Sequence, residues 1–141
     1  ERFHAVGRLD LETTGLLIFS ADGKLTQWLL HPRRAMPRTY QATIGGPPPA
    51  DLAERLAAGV ETSLGTFTAQ VEKIEGRVVE VTVREGKHRM VRRLLNNAGA
   101  PVAQLHRIAF GPIQLGDLAE EALRPLTDAE VAAIRAIPST P

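Results

Sequence analysis

A predicted hairpin followed by a predicted amphipathic helix constrains the fold of this chain more than any other feature. Residues 67–74 and 78–83 have the composition of two strands, and the Glu-Gly pair at 75–76 between them is typical of a tight turn. Residues 87–98 then carry apolar side chains at helical spacing, and Gly99 marks the predicted end of that helix. A strand pair next to a helix predicts an α+β fold with a mixed, mostly antiparallel sheet and flanking helices.

The remaining predicted elements agree with that class. We predict further strands at residues 16–20, 39–45, 102–108 and 113–115, and helices that begin near Asp22, Asp51 and a capping box at Thr127. The chain has 141 residues, which is the size of one ordinary domain. We therefore expect residues 1–141 to form a single domain.

Composition argues against several kinds of site. The chain has no cysteine, which excludes disulfides and thiolate metal sites, and its four histidines show no ligand spacing, so we expect no metal. One tyrosine and one tryptophan are too few for an aromatic platform that stacks single strands. No apolar run approaches the length of a membrane span. We expect a cytoplasmic protein that acts as a monomer.

The charges are balanced in number but segregated along the chain. The formal net charge is only +1. Residues 84–93 contain five Lys or Arg and a histidine against one acid, and residues 33–38 contain three arginines, whereas the acids collect at 72–80 and 117–130. A nearly neutral chain with this distribution can still present a basic face to nucleic acid.

Arg8 and Asp10 lie two residues apart, just before the apolar run at 16–19. On an extended backbone the two side chains project from the same face. Such a pair is either a structural salt bridge or a reactive carboxylate beside an anchor for phosphate. The two residues alone leave both interpretations open.

Three motifs follow one another in a fixed order. They are Gly7-Arg8-Leu9-Asp10, Arg38-Thr39-Tyr40 and Glu85-Gly86-Lys87-His88-Arg89-Met90-Val91-Arg92-Arg93. Together with Asp22-Gly23, His31-Pro32 and Leu105-His106-Arg107, they resemble the bacterial ribosomal RNA pseudouridine synthases of the RsuA/RluB branch. The order and the spacing match across nearly all of the chain, which makes the combination far more specific than any one motif.

The resemblance implies a pseudouridine-synthase-like catalytic domain that isomerises a specific uridine in ribosomal RNA to pseudouridine. In that reaction the N-glycosidic bond breaks, the base rotates, and it rejoins the sugar through carbon. The target base must first be flipped out of its stack. The resemblance makes Asp10 the essential carboxylate, Tyr40 the residue that stacks on the uracil, and Arg92 the cation that faces Asp10. Whether Asp10 adds covalently to the substrate or removes a sugar proton stays open. No metal or organic cofactor is implied.

Four further basic residues are expected to contact the RNA: Arg8, Lys87, Arg89 and Arg93. On the predicted helix, Arg89 and Arg93 lie opposite the apolar stripe, which suits phosphate contact, and Arg92 lies at its edge, which suits a cleft. Residues 110–118 are more similar to the family members that modify large-subunit RNA, so the sequence favours the large subunit.

The first residue is Glu1 and not an initiator methionine, so we expect a piece of a longer protein. Members of the family carry a small RNA-binding module and the first strands of the catalytic sheet before the Gly-Arg-Leu-Asp motif, and we expect the domain to be incomplete at its N-terminus. The alternative function is a catalytically inactive RNA-binding domain of the same fold. The joint presence of Asp10, Tyr40 and Arg92 favours the enzyme, because binding alone needs none of that set.

Overall fold

The computed structural model describes residues 2–138, in which ten β-strands and four α-helices are present. The strands are β1 (His4–Val6), β2 (Thr13–Gly15), β3 (Ile18–Ser20), β4 (Arg38–Ile44), β5 (Val60–Thr62), β6 (Gly65–Phe67), β7 (Gln70–Glu75), β8 (Val78–Val83), β9 (Val102–Phe110) and β10 (Ile113–Gln114). The helices are α1 (Gly23–Leu30), α2 (Leu52–Ala58), α3 (Met90–Asn97) and α4 (Asp128–Arg135). No helix in this part of the chain is long and apolar enough to cross a membrane.

Six of the strands form one sheet. Five of them pair antiparallel in the order β10-β9-β4-β8-β7, and β2 joins the sheet by pairing parallel with β9. Two small antiparallel pairs, β1 with β3 and β5 with β6, lie outside this sheet. The predicted α+β class with a mixed, mostly antiparallel sheet is confirmed.

Side-chain caps fix the ends of two helices as the sequence predicted. The Asp22 carboxylate accepts hydrogen bonds from the backbone N–H groups of Lys24 and Leu25 at the start of α1. At α4, the Glu130 N–H donates to the Thr127 hydroxyl, and the Thr127 N–H donates to the Glu130 carboxylate. Both caps satisfy N–H groups that have no partner inside the helix.

Three predicted elements are wrong in extent. The helix predicted at 87–98 begins only at Met90, because Arg89 adopts a left-handed backbone conformation with φ of +51° that a right-handed helix excludes. The strand predicted at 67–74 begins at Gln70, since Phe67 pairs with Val60 in a separate hairpin. The strand predicted at 16–20 is shorter, and β2 precedes it.

Two clusters of buried apolar side chains form the core. One packs α2 and α3 on the large sheet, and the other packs α1 and α4 against β1, β3 and the far end of β9. Leu105 belongs to the first cluster and Phe110 to the second, and both lie on β9. This strand therefore joins the two clusters.

We expect the folded protein to lose stability in acid as Glu130 is protonated. Hydrogen bonds from the Arg124 guanidinium, at 2.7 and 2.8 Å, together with the one from the Thr127 N–H, lower the pKa of Glu130 from 4.5 to about 2. Because the folded pKa is below the unfolded one, this contribution is complete above about pH 4.5 and is lost as the pH falls toward 2. Glu130→Gln should flatten that part of a plot of Tm against pH.

The control for this experiment is Glu120→Gln. Glu120 is exposed and forms no ion pair with residues 2–138, so its replacement should leave the acid part of the Tm profile as it is. A Glu130→Gln profile that coincides with the wild-type profile would contradict the expectation.

Candidate active site

A cleft of about 310 Å³ is lined by residues of both core clusters. Three segments supply most of its walls: the loop before β2, the facing parts of β4 and β9, and the loop that leads into α3. The lining residues of these segments are Gly7, Arg8, Leu9, Asp10 and Thr13, then Arg38, Tyr40, Leu105, Arg107 and Phe110, and finally residues 85–91. The fold therefore brings parts of all three sequence motifs to one cleft.

The cleft is strongly basic although the chain is nearly neutral. Five of its lining residues are Lys or Arg (Arg8, Arg38, Lys87, Arg89 and Arg107), against two carboxylates, Asp10 and Glu85. A concave surface with this excess of cations attracts phosphate groups. Residues 2–138 contain no group of three or more His, Cys, Asp or Glu side chains that could hold a metal ion.

Asp10 lies in the wall of the cleft. The residue is half-buried, and its backbone carbonyl accepts a hydrogen bond of 2.9 Å from the Thr13 N–H, which closes a tight turn over residues 10–13. Within residues 2–138 the carboxylate has neither a hydrogen-bond nor an ion-pair partner, Arg8 included. It is therefore available to a bound molecule.

Within residues 2–138, Arg92 forms neither a hydrogen bond nor an ion pair with Asp10, and the facing pair that the resemblance implied stays a prediction. Arg92 is 7% exposed, and its Nη2 donates a hydrogen bond of 3.0 Å to the backbone carbonyl of Glu12, while its Nε is buried with no partner in the described part of the chain. It is not among the residues that line the cleft. The turn at residues 10–13 brings the Glu12 carbonyl within hydrogen-bonding distance of Arg92 on α3.

Arg107 is the buried cation of the cleft. It is 3% exposed, stands opposite Tyr40 in the pairing of β4 with β9, and donates a hydrogen bond of 3.0 Å from Nε to the Leu16 carbonyl. Burial lowers the pKa of Arg107, and its interaction with Tyr40 acts in the opposite direction. Its Nη2 is buried and has no partner within residues 2–138.

Arg38 is a second cation close to Tyr40. Its Nη1 donates a hydrogen bond of 3.0 Å to the Met36 carbonyl, and its guanidinium carbon lies 5.1 Å from the centre of the Phe110 ring. Burial lowers the pKa of Arg38; Tyr40 opposes this change, and Arg107 adds to it by charge repulsion. Arg38 and Arg107 thus both interact with the tyrosine of the cleft.

Neither Arg38 nor Arg107 was predicted from the sequence to have a role in the site. The signal for Arg38 was its position two residues before Tyr40 on a predicted strand, which puts both side chains on one face. The signal for Arg107 was a charged residue inside a predicted apolar strand, where a buried charge needs a reason.

Gly15 allows β2 to approach β9 at the floor of the cleft. Its φ is +112°, and a Cβ at this position would overlap the Arg107 carbonyl oxygen and lie 2.6 Å from the Arg107 nitrogen. The next residue, Leu16, donates its N–H to the same carbonyl at 2.8 Å. Only glycine fits here, and through this contact it fixes the position of Arg107.

The residues expected to contact RNA fall into two groups. Arg8, Lys87 and Arg89 line the cleft, and Arg89 also forms an ion pair of 3.4 Å with Glu12. Arg93 lies outside the cleft lining, where it donates hydrogen bonds to the His88 carbonyl and, at 2.8 Å, to the Ser63 hydroxyl. The structure thus brings three of the four together.

The chain is similar to RNA pseudouridine synthases in sequence and in fold. Residues 1–127 match the family of RNA pseudouridylate synthases. An uncharacterized RNA pseudouridine synthase of Mycobacterium bovis is 42% identical over 134 residues, which are 92% of this chain and 52% of that protein. The ribosomal small subunit pseudouridine synthase A of Escherichia coli is 38% identical over 138 residues, 94% of this chain and 59% of that protein.

A solved structure of a pseudouridylate synthase has the same fold. It matches with a TM-score of 0.89 and 30% sequence identity, covering 94% of this chain and 59% of the other. The chain belongs to the RNA pseudouridylate synthase family, and the membership expected from the three motifs is confirmed. It spans about half the length of the curated relatives that it matches.

Proposed function

We propose that this protein isomerises a specific uridine of ribosomal RNA to pseudouridine and that Asp10 is the essential carboxylate. The observation that carries the proposal is the Asp10 side chain, which is half-buried in a cleft with five cations and has no partner of its own within residues 2–138. A carboxylate in such surroundings is ready to act on a substrate whose phosphates the cations attract. Membership of the family supplies the reaction.

Arg107, which is buried, and Arg38, which is half-buried, have a role in the proposed chemistry. When the bond between N1 of uracil and the ribose breaks, negative charge develops on the base, which must turn before a new bond forms from its C5. Tyr40 offers a ring for the base to stack on, and Arg107 and Arg38 place positive charge next to that ring. Fixed charge aimed at a developing anion stabilises a transition state strongly, because no reorganisation is needed.

Phosphate contact is proposed for the cations at the surface of the cleft. Arg8 and Lys87 are exposed and line the cleft, and Arg89 is half-buried beside them. Arg93 acts indirectly in this proposal, since its hydrogen bond to the His88 carbonyl supports the loop that forms one wall. In this proposal the RNA backbone is held at the same cleft that Asp10 lines.

The small ribosomal subunit is the proposed source of the target uridine. The relative from Escherichia coli is named for the small subunit, and its similarity extends over 138 residues. The sequence-based preference for the large subunit depended only on residues 110–118. We further propose that the protein works in the cytoplasm as a monomer and that residues 1–141 act as one catalytic domain, whose two core clusters β9 joins.

Arg92 is proposed as a positioning residue that holds the turn carrying Asp10. We expect Arg92→Met to lower kcat for pseudouridine formation roughly 10- to 100-fold, since a small misplacement of a reacting group has an effect of that size. The unfolding free energy should change by about 1 kcal/mol or less, because a buried guanidinium with an unpartnered Nε is replaced by an apolar side chain of similar length.

The matched control is Arg93→Met, which removes the next arginine of α3 and should affect kcat much less. A pH–rate profile separates the two possible roles of Arg92. If Arg92 paired directly with Asp10, its loss would move the acidic limb of the profile to higher pH. An unmoved limb with a lowered plateau is the result expected of a positioning residue.

The proposed function is tested by incubating the purified protein with ribosomal RNA of each subunit that lacks modifications. Chemical labelling of pseudouridine followed by reverse transcription then locates the product. We expect conversion of one uridine in small-subunit RNA. Conversion only in large-subunit RNA would show that the proposed target is wrong, and tight RNA binding without conversion would identify an inactive RNA-binding domain.

A further inference from the structure

Thr13 carries a buried hydroxyl group that has no hydrogen-bond partner within residues 2–138. The residue is 8% exposed, and its Oγ1 is fully buried. A buried hydroxyl without a partner is less favourable than one that is hydrogen-bonded, and such groups are uncommon in folded proteins. Thr13 is also one of the residues that line the cleft. A bound substrate is therefore in a position to supply the partner that the interior lacks.

The strand register places Thr13 between Asp10 and the side of the cleft proposed to hold the base. Strand β9 has β4 on one side, where Tyr40 lies opposite Arg107, and β2 on the other, where Thr13 lies opposite Leu105. The Thr13 N–H donates to the Asp10 carbonyl, so these two residues belong to one turn. A nucleotide whose base stacks on Tyr40 and whose reacting atoms meet Asp10 therefore brings its ribose to the start of β2.

We propose that the Thr13 hydroxyl binds the 2′-hydroxyl of the target uridine, and this inference rests on the proposed function. The 2′-hydroxyl is attached to the carbon next to C1′, whose bond to N1 breaks in the reaction, so it is the sugar hydroxyl nearest to the reacting atoms. Like the threonine hydroxyl, it can both donate and accept a hydrogen bond. Thr13 thereby distinguishes a ribonucleotide from a deoxyribonucleotide at the target position.

A rotation about χ1 of Thr13 turns its hydroxyl toward the ribose. The residue lines the cleft while its Oγ1 is buried, so other atoms of Thr13 face the cleft in the free protein. The staggered positions on Cβ are roughly 120° apart, and the rotation exchanges groups of similar size. No hydrogen bond within residues 2–138 holds the hydroxyl in its buried position. The ribose has only to offer a partner for the rotation to be favourable.

The other buried side-chain atoms without a partner in the described part of the chain suit other tasks. Arg107 Nη2 belongs to the cation proposed for the base, which lies opposite Tyr40. The Nε atoms of Arg34 and Arg92 belong to residues outside the cleft lining. Thr13 combines the properties that a ribose contact requires: a place in the cleft, a neutral hydroxyl and no partner of its own.

The test compares two RNAs that differ only in carrying uridine or 2′-deoxyuridine at the target position. Both are bound to protein that carries Asp10→Asn, so that no conversion occurs during the measurement. We expect the 2′-deoxy RNA to bind about three- to tenfold more weakly, which is the effect of one hydrogen bond. After Thr13→Val, which replaces the hydroxyl by a methyl group, the two RNAs should bind equally. Thr13→Ser keeps a hydroxyl and should retain the difference.

Two further readouts use protein with Asp10 intact. Thr13→Val should lower kcat/KM for the uridine RNA about three- to tenfold, for the same reason. Its Tm should be equal to or higher than that of the wild type, since the substitution removes a buried hydroxyl that has no partner. A lower Tm would show that the hydroxyl stabilises the free protein, which contradicts the proposal.

The matched control is Thr14→Val. Thr14 is the next residue of β2, so its side chain points to the opposite face of the strand, where its hydroxyl forms a hydrogen bond of 2.8 Å with Nδ1 of His106. Thr14→Val should lower the Tm and leave the preference for uridine over 2′-deoxyuridine as it is.

The outcomes separate this inference from the proposed function. A preference for uridine that survives Thr13→Val, or one that Thr14→Val also removes, would overturn the role of Thr13. Equal binding of the two RNAs before any change at Thr13 would overturn it as well. If the wild-type protein makes no pseudouridine, the proposed function is wrong, and the binding comparison alone decides the role of Thr13.

Discussion

Asp10→Asn should abolish pseudouridine formation, with a loss in kcat of roughly 10³-fold or more, because an amide of the same shape can neither attack the substrate nor accept its proton. RNA binding should change by no more than about twofold, since phosphate contacts to the cations supply most of the affinity. Single-turnover assays with saturating protein separate the chemical step from binding.

The control for this variant is Glu85→Gln. Glu85 is the second carboxylate of the cleft lining, and its replacement makes the same change in charge and in chemistry. If Asp10 is the reacting carboxylate, Glu85→Gln should retain most of the wild-type rate. Undiminished conversion by Asp10→Asn would contradict the proposed role of Asp10. Equal losses of rate in Asp10→Asn and Glu85→Gln would show that the rate depends on the total charge of the cleft and not on the position of the carboxylate.

Gly15→Ala should destabilise the protein by about 3 kcal/mol or more, which is the range of the largest single-residue effects. The added Cβ would overlap the Arg107 carbonyl and require β2 to move away from β9. The same movement would displace Arg107 from the cleft floor, so activity should fall even at temperatures where the variant stays folded. Urea denaturation measures the change in unfolding free energy.

Alanine variants of two other glycines separate backbone strain from steric overlap as causes of this loss of stability. Gly76 has a φ of +60° and open space around it, so Gly76→Ala reports backbone strain alone, about 1 kcal/mol. Gly23 has neither a positive φ nor a neighbour within 4 Å, and Gly23→Ala should be close to neutral. A Gly15→Ala variant no less stable than Gly76→Ala would contradict the close approach of β2 to β9.

The sequence predicted correctly those features that local interactions decide. The cap at Asp22 and the capping box at Thr127 each depend on residues within three positions, so their spacing is visible in the chain. Each of the three motifs also contributes residues to the lining of one cleft. Asp10 is one of these lining residues, and its catalytic role stays a prediction.

The features that the sequence did not predict depend on contacts between distant segments. The hydrogen bond from Arg92 to the Glu12 carbonyl joins residues eighty positions apart and depends on the exact turn at residues 10–13. The role of Arg107 follows from the register that puts it opposite Tyr40, and from the parallel pairing of β2 with β9. Periodicity gives the face of a strand but not its partner or its register.

The left-handed backbone conformation of Arg89 also accompanies a contact between distant segments of the chain. Arginine is a good helix former, so local preference placed it inside the predicted helix. In the structure its side chain pairs with Glu12 and it lines the cleft, while the helix begins one residue later. Tertiary contacts therefore outweigh the local preference at the very position where the chain enters the site.

The role of Asp10 in pseudouridine formation can be tested by mapping pseudouridine in ribosomal RNA from four strains: the wild type, a strain without the gene, and deletion strains complemented with either the wild-type gene or Asp10→Asn. One uridine of small-subunit RNA should be pseudouridine in the wild type and after complementation with the wild-type gene. It should remain uridine in the deletion strain and in the strain that carries Asp10→Asn. Identical pseudouridine maps in all four strains would contradict the proposed function.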